Sequence, residues 1–318
     1  METILKTEEL SVHYQTRRGY VHALDGINLE IGKGETLGIV GETGCGKSTL
    51  AKTILGVHPS QTRVEGRVIF HKTDLTRIDE DSFRRIRGKD IALIFQDPMT
   101  RLNPLMRIQD HFVEAIQAHE NVSLEEARRR AEAALTSVRV PESRIRHYPH
   151  EFSGGMRQRI MITMALVLHP SLLIADEPTT SLDVITEAQI LQILEDLKET
   201  YGMTLILITH NLGIVANVCD RIAVLYAGKL VELGSVTEVF AHPIHPYTQG
   251  LLSSIIHLDS KELHSIEGAP PDLLVPPPGC RFHPRCPFAQ QVCQESVPPL
   301  REFTPGHFAA CLFGEKFL

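Results

Sequence analysis

The 318-residue sequence has no apolar run long enough to cross a bilayer. Its most apolar stretch, Ile160 to Ala175, is broken by His169-Pro170 and falls short of the ~20 residues that a membrane-spanning helix needs. That stretch reads as a buried helix followed by a buried strand. The opening residues carry Glu2, Glu8 and Glu9 and no apolar core segment, so no secretory signal is expected. Excess positive charge is also lacking. A formal net charge of −7 leaves no basic field to grip a polyphosphate backbone, and a local basic cluster such as Arg84, Arg85, Arg87 and Lys89 reads as a solvated face. No nucleic-acid partner is expected, and any membrane association has to come through other proteins. Internal repeats are not evident. Mixed charge and 42% apolar residues indicate a globular chain, and the length suits one large core with a smaller appendage.

Strand-like runs occur around Leu10–Tyr14 and Ile27–Ile31, separated by a turn-prone Thr16-Arg17-Arg18-Gly19. Leu37 to Val40 is a short apolar strand leading into a glycine-rich turn, and Ser48 to Leu55 then has helical spacing. From about Met99 to Pro149 the pattern gives helices and loops without a convincing strand. Ser123 with Glu126 forms a capping box ahead of Leu124, Ala127, Ala131, Leu135 and Val138 at helical intervals. Glu125/Arg129 and Glu126/Arg130 are set as i,i+4 pairs on its outer side. Strands return at Leu172–Ala175, Leu205–Ile208 and Ile222–Leu225. The first two are almost wholly apolar, as parallel strands covered on both faces are, and a helix over about Thr186–Thr200 supplies the crossover. Tyr226-Ala227-Gly228-Lys229 reads as a hairpin turn into Leu230–Leu233. Pro270-Pro271 and Pro276-Pro277-Pro278 mark a stiff linker.

Gly41-Glu42-Thr43-Gly44-Cys45-Gly46-Lys47-Ser48 matches the G-x4-G-K-[ST] phosphate loop in full. Its glycines let successive amides curl around a β-phosphate, and the helix behind it adds its dipole. Lys47 can reach β and γ oxygens, and Ser48 can ligate Mg²⁺. A chance glycine turn is the bland alternative; a strand before it and a helix after it argue against that. Cys45 reads as a small residue tolerated in the turn, the competing idea being a thiol activated by local positive potential. Leu172-Leu173-Ile174-Ala175-Asp176-Glu177 is an apolar strand ending in two carboxylates. Asp176 is placed to hold Mg²⁺ through water and Glu177 to polarise an attacking water as general base. A cap aspartate beside a surface glutamate is the simpler reading, and the phosphate loop elsewhere weighs against it.

Phe152-Ser153-Gly154-Gly155-Met156-Arg157-Gln158-Arg159 resembles the signature of the ABC ATPases, whose common form begins Leu-Ser-Gly-Gly-Gln. Ile94-Phe95-Gln96-Asp97-Pro98 resembles the family's Q-loop, Ser181-Leu182-Asp183 its D-loop, and Thr209-His210 its switch histidine. Tyr14 falls where the family stacks an aromatic ring on adenine. Each piece alone is weak, a lone Ser-Gly-Gly being usually a turn and a lone histidine usually structural. Together, in the right order, they carry the resemblance across nearly the whole chain.

The resemblance implies a P-loop NTPase fold: a RecA-like core with a parallel sheet, an antiparallel β subdomain, a helical insertion and a small cysteine-rich C-terminal extension. It implies an ATP site lined by Tyr14, the loop residues Gly41 to Ser48 and Thr49. Gln96 and Asp176 join Ser48 at Mg²⁺, and Lys47, Gln96, Glu177 and His210 serve hydrolysis. Ser153, Gly154 and Gly155 would close on the γ-phosphate held by a second ATPase subunit, a paralogue or another copy, with Asp183 coupling the two sites. Phe152 and Met156 depart from the commonest signature without supplying its phosphate-binding amides.

His245-Pro246-Tyr247-Thr248-Gln249 and the distant Cys280-Arg281-Phe282-His283-Pro284-Arg285-Cys286-Pro287 resemble the extension of dipeptide and oligopeptide importer ATPases, a group that includes nickel and some oligosaccharide importers. The implied partners are two membrane permeases and an extracytoplasmic solute-binding protein, with the chain peripheral on the cytoplasmic face of the membrane. The implied domains are 1–255, a nucleotide-binding domain with its helical subdomain at about 99–155, and 256–318, the extension. A non-transport ABC ATPase is the alternative from another class, although no tandem cassette or long coiled coil is visible.

Cys280, Cys286, Cys293 and Cys311 follow a C-x5-C-x6-C-x17-C spacing that suits a tetrahedral Zn²⁺ or a 4Fe–4S cluster. Paired C-x2-C knuckles are lacking, Cys286-Pro287 matches the Cys-Pro step of cluster ligands, and the resemblance favours the cluster. A staple for a tail with little core is the role this suggests.

Overall fold

A computed structural model describes residues 2–95, 102–138, 140–180, 183–254 and 266–318. The chain divides into two compact units, residues 1–78 with 207–318, and residues 79–206.

The first unit opens with a long antiparallel hairpin, β1 (Thr3–Thr16) and β2 (Gly19–Gly32). Both strands run well beyond the runs expected from sequence. Register shifts between Thr7 and Leu10 and again beyond Leu10 re-aim the strand, so that Leu5, Leu10 and Val12 all stay buried although strict alternation fails. β3 (Thr36–Val40) follows, then α1 (Lys47–Ile54), β4 (Thr62–Phe70) and β5 (Thr73–Asp74). The four-stranded order is β2-β1-β4-β5, all antiparallel. β4 is not among the expected strands; Arg63, Glu65 and Arg67 form its exposed side, and exposed Gly66 breaks the alternation with Val64 and Val68.

The second unit contains α2 (Glu80–Ile86), β6 (Ile91–Ile94), α3 (Ile108–Gln117), α4 (Leu124–Ser137), α5 (Gly154–Leu166), β7 (Leu172–Asp176) and α6 (Val184–Tyr201). β6 and β7 pair in parallel from Ile91↔Leu172 to Ile94↔Ala175. As expected, no strand falls between residues 102 and 149 among the described residues. Phe112, Ile116, Ala127, Ala131, Leu135, Phe152 and Ile160 build its helical core. Ser123 Oγ accepts the Glu126 amide at 3.1 Å, as an N-cap does. The outer ion pairs differ from the expected i,i+4 set: Arg129 joins Glu126 at 2.7 Å and Arg130 reaches back to Glu120.

Within β8 (Thr204–Ile208) the chain passes back to the first unit. There it adds α7 (Leu212–Val218), β9 (Arg221–Tyr226), β10 (Lys229–Ser235), α8 (Val236–Ala241), α9 (Pro246–Ser253), α10 (Gln291–Glu295), β11 (Arg301–Thr304) and β12 (His307–Ala309). β3 and β9 are parallel, and the neighbouring order runs β11-β12-β10-β9-β3. Ala227 and Gly228 both have positive φ, 49° and 79°, which is the type I′ geometry that a right-twisted hairpin requires.

The C-terminal residues do more than the sequence expectation of a core-poor tail allows. β12 pairs with β10, and Phe282 is buried with Tyr226 and Tyr247. Glu232 on β10 is wholly buried and accepts from the Ile244 amide at 2.7 Å, the His245 amide at 2.9 Å and His307 Nε2 at 2.8 Å. Each carboxylate oxygen thus has a donor, which is what permits burial of such a group. Arg281 and Lys229 both reach Asp25 on β2, at 2.6 and 3.0 Å. Burial pushes the Asp25 carboxyl up, but the Lys229 hydrogen bond and the two cationic charges together hold it below the usual carboxylate range.

Candidate nucleotide site

The loop between β3 and α1 turns through three positive-φ glycines, Gly41 (148°), Gly44 (83°) and Gly46 (110°). Gly46 precedes α1 and has no side chain to cap it, so the helix N-terminus presents amides and the positive end of its dipole. Lys47, 6% exposed, folds back over the loop and donates to Gly41 O at 2.7 Å and Glu42 O at 3.1 Å. A lysine gripping its own loop's carbonyls is a cation stationed where an anion's oxygens can take it over. Thr43 and Gly44 are exposed, and Ser48 and Thr49 are half-buried.

Gly41 is required by contact as well as by φ. A Cβ there would sit 2.1 Å from Leu225 O on β9 and 2.7 Å from Cys45 Sγ. Gly41→Ala is therefore expected to cost about 3 kcal/mol or more. A thermal unfolding midpoint lowered by roughly 6–12 °C would register it, and an unchanged midpoint would mean the loop relaxes freely.

Tyr14 on β1 is half-buried, with its hydroxyl 3.3 Å from Thr49 Oγ1. The tyrosine expected to stack on adenine and the start of α1 are thus brought together. His210 is exposed just beyond β8, where the Thr209 amide donates to Ile39 O of β3 at 3.3 Å. Cys45 lies buried beneath the loop, and burial raises its thiol pKa more than nearby Lys47 lowers it. That weighs against an activated thiol and accords with a small residue packed in the turn.

In the second unit, β7 ends at half-buried Asp176, and half-buried Glu177 follows it. Glu177 adopts φ 49°, an uncommon conformation for a side-chain-bearing residue that tends to mark functional positions. Its Oε2 accepts from Thr180 Oγ1 at 2.9 Å. Ser153 caps α5 through the Met156 amide, Gly154 faces open space, and a Cβ on Gly155 would meet Thr186 Cγ2 at 2.9 Å. The two signature departures become intelligible here. Phe152 is 3% exposed in the helical core under the Arg144 guanidinium, and Met156 packs against the same core with its sulfur 3.7 Å from Arg144 Nη1. Phe152 is a core position and Met156 a half-buried one at the rim of that core. Asp183 caps α6, its oxygens accepting the Thr186 amide at 2.9 Å and the Thr186 hydroxyl at 2.7 Å. Those bonds hold its carboxyl below the usual range. Gln96, Ser181 and Leu182 lie outside the described residues.

Back in the first unit, Cys280, Cys286, Cys293 and Cys311 line one small pocket, walled by Phe282, Phe288, Phe313 and Phe317. None forms a disulfide. Burial pushes the Cys280 thiol up to about 11 and raises Cys286 and Cys311 as well. Among the described residues, no group of three or more His, Cys, Asp or Glu is gathered as a metal-ion site.

Three residues with a part in this architecture carry no role that the sequence alone reveals. Gln158 on α5 is 2% exposed and donates to Pro178 O, directly after Glu177. Tyr247 and Arg285 both contact Glu42 of the phosphate loop. Both lie inside motifs that mark the C-terminal extension, but pairing across 205 and 243 positions leaves no local signal.

Residues 24–180 match the ABC transporter family, and residues 231–293 match the oligopeptide/dipeptide transporter C-terminal region. The dipeptide transport ATP-binding protein DppD of Bacillus subtilis is 46% identical over 317 residues, covering 98% of this chain and 95% of that one. The oligopeptide transport ATP-binding protein OppD of Escherichia coli is 45% identical over 314 residues, covering 98% and 93%. Among solved structures, the dimeric ATP-binding cassette MJ0796, bound to ADP and Pi, is similar with a TM-score of 0.66 at 29% identity, over 73% of this chain and 99% of that one. CbiO1 of Clostridium perfringens, part of an ABC transporter complex, gives 0.65 at 32% identity, over 76% and 92%.

Proposed function

Since this chain belongs to the ABC transporter family, among its oligopeptide and dipeptide transport ATP-binding proteins, we propose that it hydrolyses ATP to ADP and phosphate to energise peptide uptake. Its fold is the ABC ATPase cassette of the P-loop NTPases, with mixed α/β sheets. Permease and substrate-binding partners go with that role. No described helix is long and apolar enough to cross a membrane, which accords with a peripheral place on the cytoplasmic face. We assign residues 1–255 to the nucleotide-binding domain, with the helical subdomain at about 99–155, and 256–318 to the peptide-importer extension.

The observation that carries the reading is Lys47 folded over its loop at Gly41 O, 2.7 Å, beside the side-chain-free start of α1. Lys47 grips the terminal phosphates; Ser48, Asp176 and Gln96 serve Mg²⁺; Glu177 takes a proton from the attacking water and His210 orients it. When bound, Mg²⁺ supplies charge neutralisation for the departing phosphate. Tyr14 and Thr49 flank the base end, and Asp183 couples paired sites. Ser153, Gly154 and Gly155 face the nucleotide of the second ATPase subunit. Reconstitution with the permeases and solute receptor tests the whole: peptide uptake should require ATP and stop in a Glu177→Gln variant. Uptake of nickel or an oligosaccharide, with none of peptide, would move the chain to another cargo.

The four cysteines, on this proposal, hold a 4Fe–4S cluster. Support comes from four thiols around one aromatic-walled pocket. The same four thiols suit a single Zn²⁺ as well, and the Cys286-Pro287 step with the resemblance of the tail favours the cluster. A bound cluster would supply a four-point cross-link; Cys280, whose thiol pKa of about 11 keeps it protonated when unliganded, would release its proton on binding. Protein purified without air is expected to be brown and to carry about four irons per chain, with Cys280→Ser losing them. Colourless, iron-free protein with stoichiometric zinc would overturn the assignment.

A further inference from the structure

Arg285 sits one residue before Cys286, yet its side chain leaves the cysteine pocket and ends on the phosphate loop. Its guanidinium makes a two-point pair with Glu42, Nη1 to Oε2 at 2.8 Å and Nη2 to Oε1 at 3.0 Å. The arginine side chain is only 6% exposed and that of Glu42 25%. Three further acceptors fix the fork in place: Glu267 O at 2.9 Å, Ile266 O at 3.2 Å and the Tyr226 hydroxyl at 3.3 Å. The Glu42 amide is held independently, donating to the Tyr247 hydroxyl at 2.9 Å. Tyr247 is itself wholly buried against Tyr226 and Phe282.

Glu42 is therefore anchored at both backbone and side chain by residues from the C-terminal third of the chain. Its carbonyl is one of the two that Lys47 Nζ bonds. Resting on the ATP assignment above, we propose that Arg285 is a positioning residue of the nucleotide site, clamping Glu42 so that the loop and Lys47 are set for the phosphates. A bidentate, sheltered guanidinium–carboxylate pair has the directionality for this, which a lone ammonium lacks. The clamp also gives the cysteine region a route to the ATPase: whatever shifts the His283–Cys286 turn shifts the partner of Glu42, and by linkage nucleotide binding acts back on that turn.

The test is equilibrium binding of a fluorescent ATP analogue with Mg²⁺ to the full chain, alongside thermal unfolding of each variant. Arg285→Gln and Glu42→Gln are each expected to weaken binding about tenfold, and the double variant to lose little more, because both remove one interaction. Arg285→Lys should recover part of the loss, and the swapped pair Glu42→Arg with Arg285→Glu should bind better than either swapped single. Folded Arg285→Gln that binds within twofold of wild type overturns the clamp, as do losses that simply add. Should Arg285→Gln fail to fold, Arg285→Lys and the swapped pair decide: no rescue by the swap overturns the clamp. Wild-type protein that fails to bind the analogue would remove the ATP assignment itself, a different outcome from equal binding by wild type and variant.

Discussion

Glu177→Gln is expected to lower ATP turnover by about 10²–10⁴-fold, the worth of a positioned general base, while Mg²⁺–ATP stays bound. The substitution keeps volume and the Thr180 Oγ1 contact at 2.9 Å but removes the acceptor that takes the water's proton. Binding is expected to persist because Lys47, Ser48 and the loop amides are untouched. Single-turnover hydrolysis and nucleotide retention measured together separate the two effects. A protein that neither turns over nor retains ATP would place Glu177 in binding, and unchanged turnover would mean another group is the base. The φ of 49° at this residue sharpens the expectation. Strained backbone is tolerated where it aims a side chain, and glutamine inherits the same strain, so stability is not expected to distinguish the variant.

Lys47→Ala is expected to raise the dissociation constant for Mg²⁺–ATP by about 10²–10⁴-fold. Two or so charge-assisted hydrogen bonds of roughly 1.5–3 kcal/mol each are lost. Lys47→Arg should not restore binding, because the buried pocket over Gly41 O and Glu42 O fits a compact ammonium and not a planar fork. Calorimetric titration checks both; an alanine variant binding within fivefold of wild type would show that the loop amides alone hold the phosphates.

Much of the candidate nucleotide site is legible in the sequence because its motifs are local in the chain. The phosphate loop spans eight consecutive residues, and its strand-before, helix-after context follows from the apolar run Leu37–Val40 and the spacing after Ser48. The carboxylates at the end of β7 are legible for the same reason: a wholly apolar run that stops at two acids marks a buried strand delivering charge to a sheet edge. β4 is less so, because exposed Gly66 interrupts the alternation of Arg63, Glu65 and Arg67 with Val64 and Val68, and the ion pairs of α4 are misjudged because Arg129 takes its i−3 partner and Arg130 reaches Glu120 beyond the helix start. The buried Glu232–His307 contact, 2.8 Å long, joins residues 75 apart, and the Arg285–Glu42 pair joins residues 243 apart. Nothing in either neighbourhood announces the other end. Phe152 and Met156 look like irregular members of a binding motif; only the structure shows Phe152 buried in the helical core and Met156 half-buried against it.

The interleaved order of the two units has a consequence for how the chain is made. Residues 1–78 are completed by residues 207–318 only after 79–206 have been synthesised. β3 has to wait for β9, its parallel partner from Leu37↔Arg221 onward, and pairing across such separations is slow. The inserted unit can settle first as it leaves the ribosome. Until the last hundred or so residues emerge, Gly41 lacks the Leu225 carbonyl behind it and Glu42 lacks Arg285. A nascent chain therefore holds the phosphate loop without its two distant supports until residues 225 and 285 have been made.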